Sequence, residues 1–192
     1  MAGPDIGSDQ ILDAARATVL DFGVRRTTVS EVARRAGLSR MTVYRRYPDG
    51  AELMRALMTR EFGQLLSQAT AEWSSAPTGR ERLVMAGVRT IELMITHPLM
   101  LRLIELEPEM LLPYLTTRLG RFQTLALEAT REAIEAGQAD GSIRDGDPRA
   151  MAAALELAVR GLVMTAAALS AQEREAALHE LELLLDGYLR PR

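Results

Sequence analysis

The chain has 192 residues, no cysteine, 26 Asp or Glu against 23 basic residues, and a formal net charge of −3. That length allows one large domain or a small one joined to a larger one, and the lack of cysteine excludes disulfides, thiolate metal sites and thiol catalysis. The opening "MAGPDIGSDQ" has neither the basic nor the apolar region of a secretory leader, and no apolar run approaches the roughly 18 residues of a membrane span. A soluble cytoplasmic protein with no membrane partner is therefore expected.

Apolar residues recur at three- and four-residue spacing almost throughout, and no period-two run of β-branched residues interrupts them, so the fold class is all-α. A first helix runs from an N-cap at about Ser8 through Ile11, Leu12, Ala15, Val19 and Phe22 to Gly23. A second opens with "TVSE", where Thr28 and Glu31 have the spacing of a capping box, and it carries Val29, Val32, Ala33 and Ala36 inward as far as Gly37. Ser39 caps a short third helix with Val43 and Tyr47 inside, closed by "YPDG" because the residue before a proline avoids the helical region.

Longer helices follow. One spans about Ala51 to Trp73, one starts near Arg80 and stops at "THP", one covers about Leu99 to Glu105, and one covers about Glu109 to Ala136. The turn-rich "GQADGSIRDGDP" places Asp147 and Pro148 at the N-cap and first position of the next helix, 149–169, and a last helix spans 171–189. Two domains are expected: a three-helix unit at 1–50, and a six-helix unit at 51–192.

Charge sharpens this division. Seven arginines and one acid, Glu31, fall between Arg25 and Arg46 in a chain that is acidic overall. Because every basic residue is Arg, placement rather than residue type carries the information. Residues 28–47 meet the steric demands of a helix-turn-helix: Ala33 lets two helices cross closely, Gly37 permits the tight turn, and Val32, Leu38 and Val43 fill the gap beneath. Arg40, Met41, Thr42, Tyr44, Arg45 and Arg46 are left facing outward. Arginine can fork onto guanine or phosphate, and tyrosine offers phosphate a hydroxyl and thymine methyl a ring face.

The stretch "ILDAARATVLDFGVRRTTVSEVARRAGLSRMTVYRRYP" with "AELMRALM" resembles the TetR-like bacterial transcriptional repressors in spacing and composition, over about residues 11–58. The resemblance implies double-stranded operator DNA as partner, with Thr28, Ser39, Thr42 and Tyr44 on the DNA backbone and Arg40 and Arg45 at base edges. Arg46 is a further candidate, and Met41 has the chemistry to touch a thymine methyl. Two departures stand out: Met41 replaces the family's usual Gly, and Asp49–Gly50 replaces its usual Ser–Lys pair. The remaining two thirds resemble the family only in helix number and in the loop before the final helix pair, the region that in the family binds effector and makes the dimer.

Methionine and leucine at helical spacing in that region serve either as core filler or as the lining of an adaptable pocket for a small apolar effector. Leu65, Met85, Leu103, Met110, Tyr114, Leu115 and Phe122 are the candidate lining. The stretch "AMAAALELAVRGLVMTAAALS" is apolar around nearly its whole circumference and needs cover on two sides. Leu155, Val159, Leu162, Ala166 and Leu169 suit its own domain. The small stripe Ala154, Ala158, Gly161, Thr165 and Ala168, flanked by Leu181, Leu184, Leu185 and Tyr188, suits a second copy of the chain across a two-fold axis.

His97 and His179 lack ligand-spaced partners, so no metal or other cofactor is expected, and no nucleophile–base constellation points to an enzyme. The leading expectation is a homodimeric repressor released from a palindromic operator by a small apolar effector. The alternative is a helical protein-interaction or ligand-carrier module without DNA binding.

Overall fold

The computed structural model describes residues 6–106, 109 and 119–191, and among these the regular structure is helical. The helices are α1 (Ile6–Phe22), α2 (Val29–Arg35), α3 (Arg40–Arg46), α4 (Gly50–Glu72), α5 (Gly79–Thr96), α6 (Pro98–Leu106), α7 (Arg121–Ala139), α8 (Pro148–Thr165) and α9 (Ala171–Leu189), with a 3₁₀ turn at Ala166–Ala168. No single helix among the described residues is long and apolar enough to cross a membrane.

The chain divides into two compact units, one comprising Met1–Glu61 and Pro98–Arg121 and the other Phe62–His97 and Phe122–Arg192. In the first, Ile11, Ala15 and Val19 of α1, Val32 and Ala33 of α2, Val43 of α3, and Leu53 and Leu57 of α4 form one buried cluster. Leu99 of α6 completes it, although it lies more than forty residues further along the chain. Phe22 departs from the stripe expected of α1. It is 47% exposed, with the Arg35 guanidinium 6.0 Å from its ring centroid. Its position along α1 lies on the same side as Ile11 and Ala15, but at the last residue of the helix the ring is only partly covered, and the Arg35 cation is its contact there.

Ser8 is not the N-cap of α1, because the helix already begins at Ile6. Its hydroxyl instead shares a 2.7 Å hydrogen bond with that of Tyr47. An ionic cluster centred on one buried carboxylate ties α4 to α1. Glu61, 5% exposed, accepts from Arg16 at 2.8 Å and from Arg60 at 2.7 Å, and Arg60 also reaches Asp13 at 2.8 Å. Residues 13 and 16 lie one turn apart, so this contact fixes both spacing and register between the helices.

The second unit packs α5 against α8 and α9 around Val84, Val88, Ile91, Met151, Leu155, Val163, Leu181, Leu185 and Leu189. Its helix starts follow local sequence rules: Thr78 with Glu81 and Ser170 with Glu173 form reciprocal capping boxes, and Asp147 caps α8 with Pro148 behind it. The start of α5 and the end of α7 touch so closely that a Cβ on Gly79 would fall 2.6 Å from the Cα of Gly137.

Two further helices differ from expectation at their ends. Of the helix placed at 109–136, residues 110–118 lie outside the described residues, Leu119 and Gly120 are not helical, and a helix runs from Arg121 to Ala139. Glycine is the costliest ordinary residue to hold in a helix interior, which favours a break at Gly120. The helix placed at 149–169 ends at Thr165 and tightens into the 3₁₀ turn.

Candidate nucleic-acid interface

Two short helices and a left-handed glycine build the site. Thr28 caps α2 by accepting the Glu31 N–H at 3.2 Å, and Ser39 caps α3 by accepting the Thr42 N–H at 3.1 Å. Between them Gly37 has φ +65°, a conformation that side chains disfavour, and the Leu38 N–H donates to the Ala33 carbonyl at 2.9 Å to close the turn. The reciprocal half of the capping box at Thr28 is replaced. The Glu31 carboxylate takes two donors from Arg34 instead, and this side-chain bonding holds it below the usual carboxylate range.

With Val43 fully buried and Tyr47 nearly so, the rest of α3 is directed outward. Arg40, Tyr44, Arg45 and Arg46 are exposed, Met41 is 76% exposed, and Thr42 is half-buried with its hydroxyl 2.8 Å from that of Ser39. Thr28 and Ser39 are exposed at the N-termini of the two helices. All eight residues expected at DNA thus belong to the caps and outer face of one α2–turn–α3 element.

The arginine cluster separates into two groups that the sequence alone does not distinguish. Arg25 pairs with Glu109, Arg34 with Glu31 and Arg35 with Asp21. Among the described residues, Arg40 and Arg45 make no ion pair. Their positive charge is left for an external anion, whereas Asp21, Glu31 and Glu109 absorb much of the rest.

The effector candidates scatter. Leu103 is buried in the first unit, while Leu65, Met85 and Phe122 are half-buried in the second. Met110, Tyr114 and Leu115 lie outside the described residues. Within the second unit, Phe62 stands 5.6 Å from Phe122 and 5.7 Å from His97, ring centroid to centroid. Sequence reading missed Phe62, although it lies one turn before Leu65 on the same helix.

Of the interface candidates, Ala154, Ala158, Gly161 and Thr165 form an exposed small stripe on α8, and Leu184 is exposed on α9. Leu181 and Leu185 already lie in this chain's own core, and Tyr188 is half-buried beneath the Arg144 guanidinium at 4.4 Å. Leu157 and Leu183, which the sequence did not single out, are exposed beside these positions. Among the described residues no cluster of His, Cys, Asp or Glu has the geometry of a metal site.

Residues 11–57, which span this element, match the sequence profile described as "Bacterial regulatory proteins, tetR family". An HTH-type transcriptional regulator of Mycobacterium tuberculosis is 34% identical over 181 residues, covering 94% of this chain and 93% of that one. The fold is shared with the TetR-family repressor QsdR of R. erythropolis, at a TM-score of 0.67 and 20% identity, covering 98% of both chains. It is shared also with SmeT, solved as a triclosan complex, at 0.65 and 21%, covering 97% of this chain and 93% of that one. The element that turns unpaired arginines outward is thus the same segment that matches the family profile, and the likeness to the mycobacterial regulator extends over nearly the whole length: the chain belongs to the TetR family of bacterial transcriptional regulators.

Proposed function

We propose that the protein is a cytoplasmic repressor that binds a pseudo-palindromic operator as a homodimer and leaves it when a small apolar molecule binds. The observation that carries the DNA reading is the outer face of α3, where Arg40 and Arg45 make no ion pair among the described residues and stand beside exposed Met41 and Tyr44. On this reading Arg40 and Arg45 meet base edges, Met41 meets a thymine methyl, and Thr28, Ser39, Thr42, Tyr44 and Arg46 hold the sugar–phosphate backbone. Residues 1–50 serve DNA, and 51–192 serve effector and dimer.

The dimer is supported by the exposed stripe Ala154, Ala158, Gly161 and Thr165, whose small side chains allow a partner helix to approach closely, with exposed Leu157 and Leu184 as apolar cover. Two recognition helices set about 34–36 Å apart would then enter successive major grooves. The effector reading rests on the aromatic group Phe62, Phe122 and His97 with Leu65 and Met85 in the second unit, and on the fact that the similar SmeT was solved with triclosan. Helix α4, unbroken over 23 residues, contributes to both units and is the proposed route of release. Coupling of this kind is reciprocal, so operator would weaken effector binding by the same factor that effector weakens operator binding.

The test is selection of duplexes from a random library by the full chain at two salt concentrations. Convergence on an inverted repeat, with half-sites about one helical turn apart, is the expected result. Retention of DNA without any sequence preference at either salt would refute it.

A further inference from the structure

The hydrogen bond between the hydroxyls of Ser8 and Tyr47 joins residues 39 positions apart, and its geometry points to a role beyond stability. We infer that this pair sets the rotation of α3 about its own axis, which makes Ser8 and Tyr47 positioning residues for operator discrimination. The inference rests on the reading of α3 as the helix that reads bases.

Seven residues make only two turns, and an isolated helix of that length does not hold itself together in water. Its direction must therefore come from its anchors. At its start are the Ser39 cap and the closed turn at Gly37, and at its middle is Val43, with no exposed surface. Apolar packing resists separation but is non-directional, so the Val43 contact constrains rotation about the axis least. At the far end Tyr47 leaves the helix in an extended conformation, φ −128° and ψ 95°, with its ring buried. Its hydroxyl makes the directional contact there, to the first turn of α1.

That turn is itself held. Gln10 Nε2 donates to the carbonyl of Ala36, the C-cap of α2, at 2.8 Å. Two polar side chains within three residues of α1 thus fix the end of α2 and the end of α3 to one support. A cleft lined by Gly7 and Ile11 on one side and by Leu38, Thr42, Arg45 and Arg46 on the other shows that this support stands directly beside the DNA-facing residues.

Base-edge contacts require placement to within about 0.5 Å and 10–20°, whereas phosphate neutralisation is tolerant of small displacements. Loss of the hydroxyl pair should therefore lower specific binding while sparing non-specific binding. A purely structural role would lower both.

The experiment compares the full chain with Tyr47→Phe, Ser8→Ala, the double variant and Ser8→Thr. The probes are the best 24-base-pair duplex that the unmodified chain recovers from a random library, and poly(dI-dC). Each single variant should lose about threefold to tenfold in affinity per half-site for the selected duplex, the scale of one hydrogen bond, with poly(dI-dC) binding and salt slope unchanged. The double variant should be no worse than either single one, and Ser8→Thr, which keeps a hydroxyl, should retain discrimination. Equal losses on both DNAs, or losses that multiply in the double variant, would overturn the inference. Failure of the unmodified chain to converge on any duplex would overturn both the inference and the reading of α3 beneath it.

Discussion

The Asp49 carboxylate accepts the backbone N–H of Glu52 at 2.6 Å, so the first turn of α4 is capped by a negative charge three residues beyond Arg46. A helix N-terminus attracts anions, and here an internal carboxylate occupies a place where a DNA phosphate would otherwise gain from the dipole. Asn caps a helix about as well as Asp. Asp49→Asn should therefore keep the fold and raise affinity for all DNA by about twofold to fivefold per protomer, the scale of one charge at a helix end. Fluorescence anisotropy with specific and non-specific duplexes checks this, and unchanged or weaker binding would remove Asp49 from the DNA-facing surface.

Arg45 and Tyr44 are neighbours on α3 with different proposed tasks. Arg45→Ala should cost about 1–3 kcal/mol per half-site and flatten preference at one operator position, whereas Tyr44→Phe should weaken all sequences alike. Competition binding against a panel of single-position operator variants separates the two. Identical sequence-blind losses would mean that neither side chain reads a base.

Glu61 holds Arg16 and Arg60 at the junction of α1 and α4. Removing it as Glu61→Ala leaves two guanidinium groups short of a partner, although Arg60 keeps Asp13 and Arg16 is partly solvated. We expect a loss of about 1–3 kcal/mol in urea unfolding, well above the cost of breaking an exposed pair such as Arg55 with Glu52. A loss as small as that of Glu52→Ala would show that the cluster contributes no more than surface pairing.

Gly161 is exposed on α8, and a Cβ added there meets nothing within 4 Å among the described residues. Gly161→Leu should thus leave the helical circular dichroism intact and favour helix formation locally. At a close helix–helix contact between copies, the same side chain would push the partners apart. Light scattering should then show conversion from dimer to monomer, with operator affinity falling in parallel. A variant that stays dimeric, or an unmodified chain that is monomeric, would refute the proposed interface.

Local features were legible in the sequence because their causes lie within a few residues. Thr28, Ser39 and Asp147 cap helices where side-chain oxygens meet orphan N–H groups three or fewer residues ahead, and Gly37 turns where its left-handed φ is needed. Spacing along the third helix separated Val43 and Tyr47 from Arg40, Met41, Tyr44 and Arg45 for the same reason, since a 3.6-residue period assigns faces without reference to any partner. The second helix pattern, by contrast, misled at Glu31, where an arginine one turn away competes for the carboxylate.

Tertiary structure decided which partner each face meets. Periodicity grouped Leu181, Leu184 and Leu185 as one candidate surface, yet packing within the second unit buries the first and third and leaves Leu184 outside. Composition counted seven arginines between residues 25 and 46, and only folding brought Asp21 to Arg35 and Glu109 to Arg25 while leaving Arg40 and Arg45 without an ion pair among the described residues. Leu99 in the core of the DNA-binding unit and Ser8 on Tyr47 follow the same rule. Capping and face assignment depend on backbone geometry within one or two turns, so the local sequence determines them. Ion pairs, long-range hydroxyl contacts and the choice of covered face depend on which distant segments the collapsed chain brings to within a few ångströms, and that is a property of the whole fold.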